Sequence, residues 1–331
     1  MKILVTGGAG YIGSTVCSAL EDKGHTPIII DSLITGKKNY ISNRIFYKGD
    51  ISEKEILTEI FRDHPEIHTT IHCAGLIIVP ESSKDPYKYY NENLIKSIQL
   101  FNNLLTLGQT RLIFSSTASL YKSSDGTMVT EKSELLPQSP YARTKMSIEM
   151  VLKDFSNSYN FKAISLRYFN PIGADPKMRT GPHTQNPSHV VGKLIESINS
   201  ESNIFTITGT NWNTRDGTGI RDYVHVWDLA QAHVSAIEYF DNIVTQDTPY
   251  NVINLGTGEG TTVLELVTAF EEINGTKIIK VSSPPRQGDV AGGYTNRDKA
   301  LNLLKWTPRM SIEQGLADAL KWFNKNNVQS S

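Results

Sequence analysis

The chain of 331 residues carries 33 Lys and Arg against 34 Asp and Glu, a formal net charge of -1, and is 39% hydrophobic and 20% charged. That length suits two domains or one large bilobal unit with a sizeable core. The near-neutral balance offers nothing to nucleic acid or to an anionic membrane, so a phosphorylated substrate would need a local basic pocket.

In chain order, Lys2 to Thr6 is an apolar run closed by Gly7 and reads as a strand. Val16, Ala19 and Leu20 share one face of a helix from Ile12 to Lys23, which Gly24 ends. Thr26 to Ile30 is a second buried strand, followed by a short strand at Ile45-Phe46-Tyr47 and a helix from Glu53 to Phe61. A strand at Thr69 to His72, a helix from Tyr87 to Leu107, a strand at Arg111 to Ser115, a helix from Tyr141 to Ser158 and a strand at Lys162 to Tyr168 continue the alternation. Strands separated by helices of this length pair in parallel, which predicts an α/β fold on a doubly wound parallel sheet. No apolar run reaches 18 residues, and Met1-Lys2 leads straight into Ile3-Leu4-Val5, so no targeting leader is expected. With Cys17 and Cys73 in apolar contexts, the expectation is a cytoplasmic protein.

After Asn170-Pro171 the rhythm changes. Residues 173 to 190 read as loop, followed by a helix from Val190 to Ser200, a strand at Tyr250 to Leu255, a helix near Val263 to Ile273 and a last helix from Ile312 to Phe323. The expected division is a Rossmann-type dinucleotide domain over 1–170, with 222–258 returning to it. A smaller mixed α/β substrate lobe would take 171–221 and 259–331, with the ligand in the cleft between the two.

Between the first strand and helix stands Gly7-Gly8-Ala9-Gly10-Tyr11-Ile12-Gly13. Gly7 allows the sharp turn, Gly10 the approach of a pyrophosphate to the backbone, and Gly13 close helix–strand packing, with the phosphates at the helix N-terminus. Asp31 ends the second strand, 18 positions beyond Gly13. An acid there accepts from the adenosine ribose hydroxyls and repels a 2′-phosphate, so NAD is favoured over NADP and Lys37-Lys38 read as solvated loop charges. Asp50 stands at a height to meet the adenine, or equally to cap the helix from Glu53.

Tyr141-x-x-x-Lys145 occurs once in the chain and puts both side chains on one helical face. A phenol beside an ammonium, with NAD⁺ near, is stabilised as phenolate and becomes a usable base. Ser115-Ser116-Thr117 closes the preceding strand, at the edge where such sheets bind ligands.

The glycine loop, Asp31, Ser115-Ser116-Thr117, Tyr141-x-x-x-Lys145 and Arg167-Tyr168-Phe169-Asn170-Pro171 together resemble the extended short-chain dehydrogenase/reductase family. Ser139-Pro140-Tyr141, Asp216-Gly217-Thr218-Gly219-Ile220-Arg221-Asp222-Tyr223 and Asn254-Leu255-Gly256 are similar to its UDP-hexose 4-epimerase branch. The likeness covers nearly the whole chain, and the Asp216 to Tyr223 stretch is its most specific part.

The resemblance implies tightly bound NAD, a UDP-hexose substrate, no metal, and a homodimer joined through the helices from Tyr87 and Tyr141. It implies Tyr141, Lys145 and Thr117 as the catalytic set. Cofactor contacts would come from Gly7, Gly10, Tyr11, Ile12, Gly13, Asp31, Asp50, Ile51, Ala74, Gly75, Asn93, Ser115, Tyr141, Lys145 and Tyr168. The UDP-sugar would meet Thr117, Asn170, His189, Val190, Arg221, Arg286 and Asp289. Ile77 stands where relatives carry a lysine, Tyr121-Lys122 replaces Tyr-Gly, and Thr208 stands where relatives place an aromatic. His189 could equally cap a helix. Gly293, if it is the residue gating the sugar pocket, leaves room for an N-acetyl group; Tyr294 in that place would not. A nucleotide-sugar dehydratase would need an acid beside Thr117, and Thr117-Ala118-Ser119-Leu120-Tyr121 has none. Epimerisation of a UDP-pentose or uronate stays open. A non-catalytic NAD sensor has no use for Thr117, Tyr141 and Lys145 together.

Overall fold

The computed structural model describes residues 1–122, 126–183, 187, 189–285 and 289–328. Seven strands form one parallel sheet: β1 (Lys2–Thr6), β2 (Thr26–Asp31), β3 (Ile45–Lys48), β4 (Ile67–His72), β5 (Arg111–Thr117), β7 (Lys162–Tyr168) and β12 (Tyr250–Leu255). Their order is β12-β7-β5-β4-β1-β2-β3. The sequence expectation of a doubly wound α/β sheet is met. The order reverses between β1 and β4, the switch point outside whose carboxyl strand ends such sheets bind their ligands.

The strands alternate between two cores because successive side chains leave a sheet on opposite faces. Ile3 and Val5 pack with α1 (Tyr11–Asp22) through Val16, Cys17 and Leu20, and with Leu229 and Ile237 of a later helix. Leu4 faces the other way, with Leu57 and Ile60 of α2 (Lys54–Asp63), Leu100 and Phe101 of α3 (Pro86–Tyr89, Tyr90–Ile95 and Lys96–Thr106), and Ile148 and Leu152 of α4 (Pro140–Ser158). Each such side chain contributes about 1.5–3 kcal/mol on leaving water. Apolar strands buried on both faces are what a parallel sheet demands.

The expected single helix over 87–107 is interrupted. Here α3 runs through Pro86–Tyr89, a π-helical stretch Tyr90–Ile95, and Lys96–Thr106. A π turn has no compositional signature, and such stretches occur often at functional sites.

Beyond β5 several elements have no counterpart among the sequence expectations. Two- to five-residue strands give no periodicity: β6 (Met128–Val129), β8 (Asn170–Ile172), β9 (Ile204–Thr208), β10 (Ile220–Arg221), β11 (Tyr223–His225), β13 (Thr261–Thr262), β14 (Ile279–Ser283) and β15 (Gly292–Thr295). Val226–Glu238, also unassigned, is the long helix packed on α1. The predicted helices Val190–Ile198, Val263–Asn274 and Ile312–Val328 are present. Leu194, Leu266, Phe270 and Leu316 from these three build a third core with Phe205 and Tyr223. β13, β10, β15 and β6 form a small mixed sheet beside it.

Candidate active site

The site begins at the glycine loop. Gly7 has φ +70°, and a Cβ there would lie 2.6 Å from the Ala74 amide nitrogen. A Cβ on Gly13 would lie 2.3 Å from the Gly7 oxygen, so neither position accepts a side chain. Helix α1 opens at Gly10 with no side-chain cap and no acid in its first turn. Its N–H groups and positive dipole end therefore await an anion. Tyr11, in that first turn, donates its hydroxyl to the Gly173 carbonyl at 2.6 Å, and Ile12 packs against the core.

Asp31 is buried at the end of β2. Its Oδ2 accepts from the Ala9 amide at 3.0 Å and its Oδ1 from the Leu33 amide at 2.8 Å, so the carboxylate is aimed while keeping lone pairs for further donors. Asp50 does not cap α2, whose N-cap is Glu53. Instead its Oδ1 accepts from Ser52, and its Oδ2 pairs with Lys96 at 2.6 Å. The ammonium of Lys96 and the Ser52 donors hold that carboxyl below its usual range against the opposing effect of burial. Ile51 beside it is buried. Uncapped helix end, side-chain-free loop and aimed acid together fit an adenine dinucleotide.

The chemistry-bearing side chains meet at the carboxyl ends of β5 and β7. Thr117, Tyr141 and Lys145 are all at least nine-tenths buried. Ser139 caps α4 by accepting from the Ala142 amide, and Pro140 sits in its first turn, so the helix starts where Tyr141 is presented to the strand ends. Burial pushes the Tyr141 phenol up to about 12, and its hydrogen bond with Thr117 pulls the other way. Burial pushes Lys145 down to about 8, partly offset by Cys73 and Glu149. Lys145 Nζ donates to the Ser115 carbonyl at 3.0 Å and lies 4.7 Å over the Phe114 ring. The expected phenolate is therefore not favoured by the protein alone: burial outweighs the hydrogen bond with Thr117.

Ser115 is at the centre of a hydroxyl cluster. Its Oγ lies 3.1 Å from Cys73 Sγ and 3.2 Å from His233 Nε2, and it bonds the Tyr168 hydroxyl. His233 Nδ1 lies 2.9 Å from the Leu229 carbonyl, which leaves Nε2 to accept from Ser115. A second chain ties the loop after β4 to α3. Ser97 Oγ donates to the Asn93 carbonyl. His72 Nε2 therefore donates to Ser97 at 2.8 Å, and His72 Nδ1 accepts from Thr6 at 2.7 Å. Thr6 Oγ1 in turn accepts from the Ala74 amide at 3.2 Å. From within the π stretch, Asn93 Oδ1 accepts from the Leu76 amide at 2.7 Å, and its Nδ2 donates to the Leu76 carbonyl and to Thr144. Gly75, with φ +155°, lies close to Asn93 and Lys145. Ala74, Gly75, Asn93, Ser115, Tyr168 and the expected catalytic set of Thr117, Tyr141 and Lys145 thus share one floor.

The expected UDP contacts are held differently. Asn170 is exposed on β8, its amide bonded to the Asp222 carbonyl at 2.9 Å. Arg221 turns its guanidinium onto the carbonyls of Ile220 (2.7 Å), Ala291 (2.8 Å) and Val290 (3.2 Å), beside Asp289. His189 is the N-cap of the helix that Val190 opens, its Nδ1 accepting from the Gly192 amide at 3.2 Å. Arg286 lies outside the described residues. Among the described residues no His, Cys, Asp and Glu cluster could hold a metal, and no helix is long and apolar enough to cross a membrane.

The sequence reading missed three polar groups that organise this region. Glu149 pairs with Arg167 at 2.5 Å, both buried. His72 joins β1, β4 and α3. Asp222, its carboxyl pushed up by burial, accepts from Thr257, Gly258 and Thr295. One signal was readable: Glu149 follows Lys145 by four and Tyr141 by eight, on the same helical stripe.

The model of the "NAD dependent epimerase/dehydratase family" matches residues 3–256. The chain is 36% identical over 326 residues to a UDP-glucose 4-epimerase of Rhizobium meliloti, covering 98% of both chains. It is similar to the crystal structure of a Stenotrophomonas maltophila UDP-glucose 4-epimerase with bound NAD and formylated UDP-arabinopyranose, at TM-score 0.94, 32% identity and full coverage of both. A Bifidobacterium longum UDP-glucose 4-epimerase in complex with NAD⁺ and UDP matches at TM-score 0.90 and 31% identity over 99% of each chain.

Proposed function

The chain belongs to the NAD-dependent epimerase/dehydratase family, and on that premise we propose that it interconverts UDP-galactose and UDP-glucose by inverting C4 of the sugar. The observation that carries this reading is the buried meeting of Thr117, Tyr141 and Lys145 at the carboxyl edge, with no carboxylate directly after Thr117 to serve a dehydratase. Bound NAD⁺ would supply a hydride acceptor and donor at C4 of the sugar, the hydrogen leaving with its electron pair and returning to the opposite face.

The residues do the rest. Tyr141 Oη takes the proton of the sugar 4-hydroxyl and later gives it back, and Thr117 Oγ1 bridges that hydroxyl to the phenol. Lys145 spends one of its three donors on the Ser115 carbonyl and has two for the hydroxyls of the cofactor's nicotinamide ribose. Burial, against the pull of the Thr117 hydrogen bond, holds Tyr141 at about 12, and the positive charges of Lys145 and of a bound cofactor would favour its phenolate. The loop of Gly7, Gly10, Tyr11, Ile12 and Gly13 takes the pyrophosphate. Asp31 takes the adenosine ribose, and Asp50 and Ile51 the adenine. Ala74, Gly75, Asn93, Ser115 and Tyr168 line the nicotinamide end.

Residues 1–170 and 222–258 serve the cofactor in this reading, and 171–221 and 259–331 the sugar nucleotide. Asn170, Arg221 and Arg286 clamp the diphosphate, Asp289 accepts from the uridine ribose, and His189 and Val190 lie along the nucleotide. Exposed Tyr87, Ile95 and Met150 on α3 and α4 support a homodimer through those helices.

A second reading adds UDP-N-acetylhexosamines. Neighbours along a strand face opposite ways, and Tyr294 packs its ring toward Gly260 and Ile220. Gly293 then leaves the other face of β15 without a side chain. Undetectable turnover of UDP-GlcNAc beside good turnover of UDP-galactose rejects that extension alone.

The test is purified protein incubated with UDP-galactose or UDP-glucose without added NAD, followed by anion-exchange chromatography. Both substrates should approach one mixture. No conversion of either hexose, even with NAD supplied, rejects the reading.

A further inference from the structure

Glu149 sits on the stripe of α4 that presents Tyr141 and Lys145. Its carboxylate is gripped from two strands at once. Oε1 accepts from Ser116 Oγ at 2.5 Å and from Arg167 Nε at 2.9 Å, while Oε2 accepts from Arg167 Nη2 at 2.5 Å. Ser116 and Arg167 are registered partners in β5 and β7, and the next registered pair is Thr117 and Tyr168. Arg167 Nη1 donates onward to the Tyr121 hydroxyl at 3.0 Å, and that hydroxyl donates to Asn254 Oδ1 on β12 at 2.6 Å. One buried ion pair therefore fastens the helix of the base to three strand ends.

Stability is a poor reason for such a pair. Taking two ions out of water costs several kcal/mol each, and apolar residues of similar volume hold a helix on a sheet as well or better. A forked guanidinium–carboxylate contact supplies direction, which apolar packing lacks. The helix is fixed in height and rotation one residue below Thr117 and Tyr168.

Resting on the epimerase reading, we propose that Glu149 and Arg167 are positioning residues that set the distance of Tyr141 and Lys145 from Thr117 and from the bound cofactor. The surroundings of the two reacting groups make this separable from a structural role. Lys145 is faced by His72 and Cys73 from β4 and its loop, by the Ser115 carbonyl of β5, and by Glu149 from its own helix. Tyr141 is faced by Thr117 of β5, Tyr168 of β7 and Tyr89 of α3. Glu149 is the one carboxylate in these two sets, and it favours the charged form of Lys145. Drawing it back weakens the ammonium that supports the phenolate.

The experiment uses the holoenzyme and two variants that keep Arg167 paired, Glu149→Asp and Ser116→Ala. It reads kcat and KM for UDP-galactose against pH, and the ionisation of Tyr141 by ultraviolet difference against Tyr141→Phe. Glu149→Asp should lower kcat about ten-fold with KM within about two-fold, and Ser116→Ala should lower kcat about three-fold. In Glu149→Asp the Tyr141 titration should move to higher pH. Variants that melt earlier but keep the kcat and the Tyr141 titration of the parent overturn the proposal and leave the pair structural. If the parent protein turns over no UDP-hexose, the functional reading has failed, and the Tyr141 titration still decides the positioning claim.

Discussion

The floor of the site and its rim hold their side chains in different ways. On the floor, Thr117, Tyr141 and Lys145 are buried and fastened by side-chain networks that run through Ser115, Asn93, Glu149 and His72. On the rim, Asn170 and His189 are exposed and Arg221 rests on backbone carbonyls of the segment before β15. Bond-making groups must be placed to fractions of an ångström, and a sheet edge locked by side chains does that. A sugar that must turn over between two half-reactions needs a looser hold, which the proposed loop-borne contacts to the nucleotide would supply.

That contrast breaks if floor substitutions change substrate affinity or rim substitutions change the chemistry. The largest effect expected is Tyr141→Phe, which should cost 10³-fold or more in kcat by removal of the base, on the order expected for general base catalysis, with KM nearly unchanged. Steady-state kinetics with UDP-galactose reads it. Lys145→Met should lose about 10²-fold in kcat. It should also release NAD on gel filtration, measured by absorbance of the denatured protein, because Lys145 serves proton and cofactor together. Arg221→Ala should instead raise KM about ten-fold or more with kcat held within a few-fold, the loss of a charge-assisted contact worth about 1.5–3 kcal/mol.

The smallest and broadest effect is on stability. Burial pushes His72 from 6.5 down to about 3 and His233 from 6.5 down to about 4. Both folded-state values lie below the unfolded one, so the unfolded chain binds protons that the folded floor refuses. Stability is complete above pH 6.5 and is lost as pH falls toward those values, by about 1.4 kcal/mol per unit and per histidine. Urea unfolding at pH 6.5 and 5 reads the slope. His72→Gln should remove one histidine's share of it.

Legibility in the sequence followed the same division. β7 and β12 were readable residue for residue because each is a short stretch centred on aliphatic residues, Ala163, Ile164 and Leu166 in one and Val252, Ile253 and Leu255 in the other. The glycine loop, Asp31 and the Tyr141–Lys145 spacing were readable because each is a local pattern with a geometric cause. Glu149 and Arg167 were not, since their contact needs the register of β5 against β7 and the rotation of α4. The rim elements β10, β11 and β15 are two to four residues long and too short to show a period. Arg221 and Asp289 therefore came from resemblance alone. Asp50 shows the limit of local reasoning from the other side: either adenine contact or cap fitted its position, and Lys96, 46 residues away, decided against the cap.

The most direct test of the account is to run the conversion of UDP-galactose in D₂O without added NAD and weigh the UDP-glucose formed. Inversion at C4 by removal and return of the same hydrogen predicts product with no carbon-bound deuterium, lost altogether in Tyr141→Phe. Deuterium fixed on a ring carbon, or conversion by Tyr141→Phe at a rate near the parent's, would contradict it.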